Sequence, residues 1–332
     1  MTSTRFDVVG LGNAIVDVIA PVEDGFLDQW DIRKNGMTLI EEDRADALTG
    51  AAEGQELSGG SGANTIAGVA SFGGRAAYIG KVADDRLGGV FREDMRAIGV
   101  PFDTAPLQDG PATARSIIFV TPDGARSMNT FLGASVMFSP ADVDAETVRA
   151  GAILYLEGYL FDREDAKAAF VHASEIAAAA GRKVSLTLSD NFCVDRHRES
   201  FRHLIRTHVD ILFANEAELL SLYETEDFDA AVTALREEAP LAAVTRSEKG
   251  SVVIGDGPPI AVPAEPIDHV TDTTGAGDQY AAGFLFGHAR GMPLATCAKL
   301  GHVAAAEVIS HYGPRPETPY AGLAKAAGLD GG

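Results

Sequence analysis

Seven residues toward the C-terminal end, Asp272-Thr-Thr-Gly-Ala-Gly-Asp278, carry the clearest chemistry in the sequence. The stretch that follows reads as a helix, with Ala281, Phe284, Leu285 and His288 on one face. Two glycines beside a helix start let the backbone approach a ligand without a Cβ in the way. The free N–H groups of the first turn then face that ligand, and the helix dipole favours negative charge there. A carboxylate at the same place, Asp278, is an odd companion for an anion unless it has work to do. It can take a proton from a hydroxyl as that hydroxyl attacks phosphorus, while neighbouring N–H groups steady the transferred phosphoryl oxygens. The plainer alternative makes Asp278 an ordinary helix cap.

Other polar groups sit at the ends of apolar elements. Gly59-Gly-Ser-Gly-Ala-Asn64 leads into a helix and, by itself, reads as a flexible turn. Asn215-Glu-Ala-Glu218 follows an apolar strand; in isolation it is equally a helix cap with its N3 glutamate. Asp17 interrupts the apolar run 15–20, and a carboxylate can accept from two vicinal hydroxyls at once. Phe192 and His302 read, on composition, as core residues.

The elements that must position these groups alternate along the chain. Strands are predicted at 6–10, 15–20, 76–82, 115–120 and 127–132, then at 153–156, 183–188, 211–214, 241–245 and 251–255. Helices are predicted at 65–72, 87–98, 163–180, 198–207, 216–223, 229–238, 277–290 and 294–310. Strands alternating with helices imply an α/β protein whose mostly parallel sheet is covered on both faces. Residues near 15–48 and 105–132 show strands with little helix between them, so a small separate β element is expected there. No repeat or low-complexity linker divides the chain, which reads as a single domain over 1–332.

The 332 residues are 46% hydrophobic and carry a formal net charge of −21, enough for a large core but repulsive to nucleic acid and to anionic membranes. An anionic substrate therefore needs local positive potential. Cys193 and Cys297 lie far apart and form no disulfide framework, which fits a reducing cytoplasm. The first seven residues lack the apolar core of a signal peptide, and no run is long enough to span a bilayer. Gly10-Leu-Gly12 lacks the third glycine of a dinucleotide fingerprint, with Ile15 in its place, and no P-loop string is present. His197, His203 and His208 do not share one helical face and stand among Arg196, Arg198, Arg202 and Arg206, which reads as a solvated basic face.

Taken in order, Gly59–Asn64, Asn215–Glu218 and Asp272–Asp278 resemble the signatures of the ribokinase-like PfkB family of carbohydrate kinases. The resemblance implies a three-layer α/β/α fold with a small β-sheet lid, built from about 15–48 and 105–132. It implies Asp278 as catalytic base and Gly275, Ala276 and Gly277 as an anion hole. It implies ATP with Mg²⁺, whose waters Asn215 and Glu218 would order, and a K⁺ site beside Asp272 and Thr274. Thr245-Arg-Ser-Glu-Lys-Gly250 resembles the family's nucleotide loop, with Ser247 where a glycine is usual, giving Thr245, Ser247 and Gly250 to the nucleotide.

Within the family, Gly10–Asp17, Leu188–Phe192, Arg126-Ser127 and Gly301-His302 resemble the adenosine-kinase group. That likeness gives Asn13, Asp17, Gly60, Ser61, Asn64, Arg126 and Phe192 to the acceptor, and His302 to the adenine of ATP. The expectation is a cytoplasmic, ATP-dependent kinase, monomer or homodimer, acting on the 5′-hydroxyl of a nucleoside, adenosine first. A sugar kinase of the same family and a non-catalytic nucleoside sensor are the alternatives.

Overall fold

The computed structural model describes residues 4–329, the side chain of Asp162 apart. Among these the strands are β1 (Phe6–Leu11), β2 (Ile15–Pro21), β3 (Met37–Leu39), β4 (Gln55–Gly59), β5 (Ala76–Ile79), β6 (Ala114–Val120), β7 (Arg126–Phe131), β8 (Gly151–Glu157), β9 (Lys183–Thr187), β10 (Ile211–Asn215), β11 (Leu241–Thr245), β12 (Ser251–Ile254) and β13 (Ile260–Val262). The helices are α1 (Asp24–Gln29), α2 (Glu42–Ala51), α3 (Ser61–Ser71), α4 (Arg86–Ala97), α5 (Ala145–Ala150), α6 (Glu164–Ala179), α7 (Asn191–Thr207), α8 (Glu216–Tyr223), α9 (Phe228–Glu238), α10 (Ala276–Ala289), α11 (Leu294–Val308) and α12 (Tyr320–Ala326).

The large sheet runs β13-β12-β11-β10-β9-β8-β1-β5. From β11 to β5 every pairing is parallel; β12 and β13 add an antiparallel edge. Successive residues of the central strands serve opposite faces. Leu154, Leu156, Leu212 and Ala214 pack with Phe170, Phe201, Leu219 and Leu235 of α6 to α9. Ile153, Tyr155, Ile211 and Phe213 pack with Ile66, Phe91, Phe284 and Ala298 of α3, α4, α10 and α11. Both faces are buried, so the strands read as continuous apolar runs, as the sequence implied.

The second sheet runs β3-β7-β6-β2-β4. One face carries its own core of Ala20, Ile117, Phe119 and Phe131 against Leu27, Ala45 and Leu48 of α1 and α2. The alternate residues Ile15, Asp17, Ser116 and Ile118 face a cavity. This element is richer than the sequence suggested. Helix α1 was not anticipated, being short and mostly polar, whereas the acidic cluster Glu41–Asp43 reads from the sequence as a solvated helix start and does stand at the start of α2. Strand β4 was missed for the same reason: it is a polar edge, paired antiparallel to β2. The stretch 105–113 holds no strand beyond one bridge between Ala83 and Leu107. Helix α7 starts at Asn191, seven residues before its predicted start, because Asp190 caps it through the Cys193 N–H at 2.7 Å. A break at His197, with φ −125°, interrupts its periodicity. No helix among the described residues is long and apolar enough to cross a membrane.

Candidate active site

A cavity of about 840 Å³ lies between the carboxyl ends of the parallel strands and the inner face of the second sheet. The chain passes from β1 to β5 on one side, while β8 pairs with β1 on the other, so strand order reverses there. Ligands bind outside the strand ends at such a point. Asn13 follows β1, and Glu157, Asn215 and Thr245 end β8, β10 and β11; all four line the cavity. Asn13 Nδ2 donates to Glu157 Oε1 at 2.7 Å across the switch point, and the Gly62 N–H donates to Glu157 Oε2 at 2.7 Å.

Helix α10 starts behind Gly275, whose φ of +80° favours glycine. A Cβ there would also lie 2.7 Å from the Pro314 Cβ. Asp278 is in the first turn but makes no cap. Its Oδ1 accepts from Ser61 Oγ at 2.6 Å and its Oδ2 from Asn64 Nδ2 at 3.2 Å, both on the first turn of α3. The ordinary-cap alternative therefore fails: this carboxylate is turned to the cavity and held by a second helix. Burial raises the Asp278 pKa, and the Ser61 and Asn64 hydrogen bonds and the Arg315 charge pull against that rise. Of the N–H groups at and beside the expected anion hole, that of Ala276 donates to Thr273 O at 3.2 Å. Those of Gly275, Gly277 and Asp278 have no acceptor among the described residues, which leaves them for a ligand.

Asp17 lies on the opposite wall, beside the Gly59 backbone, where any Cβ would collide with its carboxylate. Burial pushes its pKa up to about 6 against the pull of Arg315 and Arg126. No hydrogen bond to its carboxylate occurs among the described residues, although the residue is only 9% exposed. Gly60, Ser61 and Asn64 stand beside it on the cavity wall. Phe192 is 74% exposed at the mouth, and Met37, Leu39 and Tyr159 add further exposed apolar surface there. The core reading of Phe192 is thus excluded, and the mouth offers an apolar slot.

Asn215 and Glu218 form a reciprocal capping box at the start of α8, with Asn215 Oδ1 accepting from the Glu218 N–H at 2.8 Å. Glu218 Oε2 accepts from the Asn215 N–H at 2.9 Å and Oε1 from its Nδ2 at 2.6 Å. Both residues also line the cavity, so capping and ligand chemistry coexist. Burial raises Glu218 to about 7. No cluster of three or more His, Cys, Asp or Glu among the described residues could cage a metal. A divalent ion would fit here only when it arrives on phosphates, with Glu218 reaching it through water.

Several expected roles do not match the positions found. Arg126 does not line the cavity; it forms a buried ion pair with Asp272. Asp272 also accepts from the Gly313 N–H at 3.0 Å, from the Thr274 N–H at 3.0 Å and from Thr274 Oγ1 at 2.6 Å. Both of its carboxylate oxygens are engaged within the protein, so the Asp272 side chain does not fit a K⁺ ion; Thr274 lines the cavity. Ser247 and Gly250, unlike Thr245, do not line the cavity: they shape a turn, with φ of +51° and +85°. His302 is a core residue, its Nε2 2.9 Å from Ser251 Oγ, and burial depresses its pKa to about 4. It touches the cavity only through Tyr280, whose hydroxyl donates to the same Ser251 Oγ at 2.9 Å.

Three site residues were missed. Glu157 had a signal, an acid ending a parallel strand. Gln279, buried in α10, donates to Asn64 O at 3.1 Å and Pro314 O at 2.8 Å. Arg315, in the loop after α11, donates from Nε to Asn64 Oδ1 at 2.8 Å. Neither Gln279 nor Arg315 lies in a motif that spacing alone would flag.

The family model for pfkB carbohydrate kinases matches residues 33–320. The crystal structure of adenosine kinase from Sinorhizobium meliloti is 53% identical, covering 97% of this chain and 99% of that one, with a TM-score of 0.89. A probable sugar kinase from Rhizobium etli CFN 42 is 50% identical over 98% and 99% of the two chains, with a TM-score of 0.91. Adenosine kinase of Saccharomyces cerevisiae is 26% identical over 330 residues, spanning 92% of this chain and 96% of that one. The fold is ribokinase-like, and the chain belongs to the pfkB family of carbohydrate kinases, phosphotransferases that act on a hydroxyl group.

Proposed function

We propose that this protein is an ATP-dependent nucleoside kinase that converts adenosine to AMP by phosphorylating its 5′-hydroxyl. One observation carries the reading. A half-buried carboxylate, Asp278, stands beside N–H groups that have no acceptor among the described residues, and a second carboxylate, Asp17, with no hydrogen bond among those residues, faces the same cavity. A base and an anion cradle suit phosphoryl transfer; an unpaired carboxylate suits a vicinal diol. The relatives named adenosine kinase support the choice of acceptor, as does the apolar mouth at Phe192, Met37 and Leu39. The sugar-kinase reading keeps the same chemistry, and one relative carries that name.

In this reading Asp17 and Asn64 hold the ribose. Asp278 takes the 5′-hydroxyl proton as the oxygen attacks the γ-phosphorus in line. The N–H groups of Gly275, Gly277 and Asp278 receive the charge on the phosphoryl oxygens. Bound with ATP, Mg²⁺ would neutralise phosphate charge, with Asn215 and Glu218 holding its water shell. The second sheet acts as a lid on a single domain, closing over the acceptor and excluding water.

Arg126, Gly313 and Thr274 together occupy the Asp272 carboxylate and so tie down the anion-hole loop from within the protein. Replacing K⁺ by tetramethylammonium at constant ionic strength is therefore expected to leave kcat unchanged. A several-fold loss would show that a monovalent cation binds elsewhere on the loop.

The function itself is tested by ADP release from ATP-Mg²⁺ with adenosine, guanosine, inosine, ribose and fructose. Selective turnover of adenosine is expected. Turnover of a sugar alone would keep the chemistry and replace the acceptor. No turnover of any would favour a sensor.

A further inference from the structure

Arg315 is half-buried, lies in no motif and does not line the cavity, yet its guanidinium reaches the base through one side chain. Its Nε donates to Asn64 Oδ1 at 2.8 Å, and its Nη2 donates to Ser58 Oγ at 3.2 Å. Arginine has no acceptor, so only the oxygen of the Asn64 amide can face it. That fixes the amide's other end: the Asn64 NH₂ must point at Asp278 Oδ2, 3.2 Å away. The segment around Arg315 is anchored to the same site. The Gly313 N–H donates to Asp272, and Pro314 O accepts from Gln279.

The charges around this arrangement favour the same role. Asp17 on β2, Tyr78 on β5, Asp94 on α4 and Asp278 on α10 all face the guanidinium. Around Asp278 itself stand Asp17, Glu157 and the hydroxyls of Tyr78, Tyr155 and Tyr159, all of which are anions or neutral. Arg315 is the cation that acts on Asp278, and it shares Asp17 with Arg126.

We propose that Arg315 is a positioning residue for phosphoryl transfer, orienting the Asn64 amide toward Asp278 and setting a positive charge beside Asp278 and Asp17. The proposal rests on Asp278 being the base, so Asp278→Asn is assayed alongside. Activity retained there overturns the base reading first; activity lost there leaves Arg315 to be judged by its own variants.

Arg315→Met removes both fork and charge. Its kcat at neutral pH is expected to fall about 10²-fold, the scale of a misplaced reacting group. With the attracting charge gone, the base binds its proton more tightly. The acidic limb of kcat/KM should therefore move up by about one pH unit, and part of the loss should be recovered at higher pH. Arg315→Lys keeps the charge but not the fork. Its limb should return to the wild-type position while kcat stays about 10-fold low. A folded Met variant with an unmoved limb overturns the electrostatic role. A Lys variant with wild-type kcat overturns the orienting role, and it decides that point even if the Met variant does not fold.

Discussion

Asp278→Asn is expected to bind ATP and adenosine with near-native affinity and to lose about 10²–10⁴-fold in kcat, the usual worth of general-base help. The structure makes this substitution a clean one. The new side chain has the same shape, and its oxygen can still accept from Ser61 Oγ, now 2.6 Å from Oδ1. The other end is less forgiving. Asn64 presents its NH₂ to Oδ2, and Arg315 prevents that amide from turning over. Two NH₂ groups would then face each other, a local cost partly offset because a buried charge has been removed. The fold should therefore survive, as a thermal melt will show, while the proton acceptor is gone. Calorimetric titration with both ligands and a single-turnover assay separate binding from chemistry. A variant that binds and turns over within a few-fold of wild type would remove Asp278 from the mechanism.

The same residues show what a sequence can and cannot reveal. Positions bound to backbone geometry were legible. Gly275 needs its positive φ, the parallel strands need continuous apolar runs, and Asn215 with Glu218 forms a capping box readable from spacing. Roles set by which side chain meets which across the fold were not. Arg126 looked like a ligand residue, but its partner lies 146 positions away. His302 follows a glycine on a helix that touches the site only at second hand, and its ring is satisfied by Ser251, 51 positions earlier. Arg315 meets Asn64 across 251 positions, a pairing no local pattern encodes. Helix α1 and the extent of α2 beyond its acidic start escaped for another reason: each buries so few residues that its periodicity is faint, and packing against the second sheet rather than propensity holds it.

Asp17 gives the second large effect, and its sign differs between stability and binding. Without ligand, its carboxylate is buried with no hydrogen-bond donor among the described residues, and its pKa stands at about 6 rather than 3.8. Between those two values the folded state binds more protons than the unfolded one. Stability therefore falls as pH rises through that window, by roughly 3 kcal/mol at most, and the loss persists at neutral pH. Asp17→Asn removes the penalty, so at pH 7.5 the ligand-free variant should melt several degrees above wild type. The advantage should fade below pH 4, where both states of Asp17 are protonated. Acceptor binding should move the other way. A diol offers two hydroxyl donors to the ionised carboxylate; the amide has one acceptor oxygen and sets its NH₂ against the other hydroxyl. Loss of a charged acceptor in a buried site costs about 1.5–3 kcal/mol, or roughly 10- to 150-fold in adenosine affinity. In the wild type the same logic makes adenosine affinity decline as pH drops through 6, where Asp17 gains its proton. Equilibrium binding from pH 5 to 8, beside thermal melts of both proteins, reads the two signs together. A variant that is less stable at pH 7.5 yet binds adenosine normally would mean that Asp17 supports the second sheet and that the ribose lies elsewhere in the cavity.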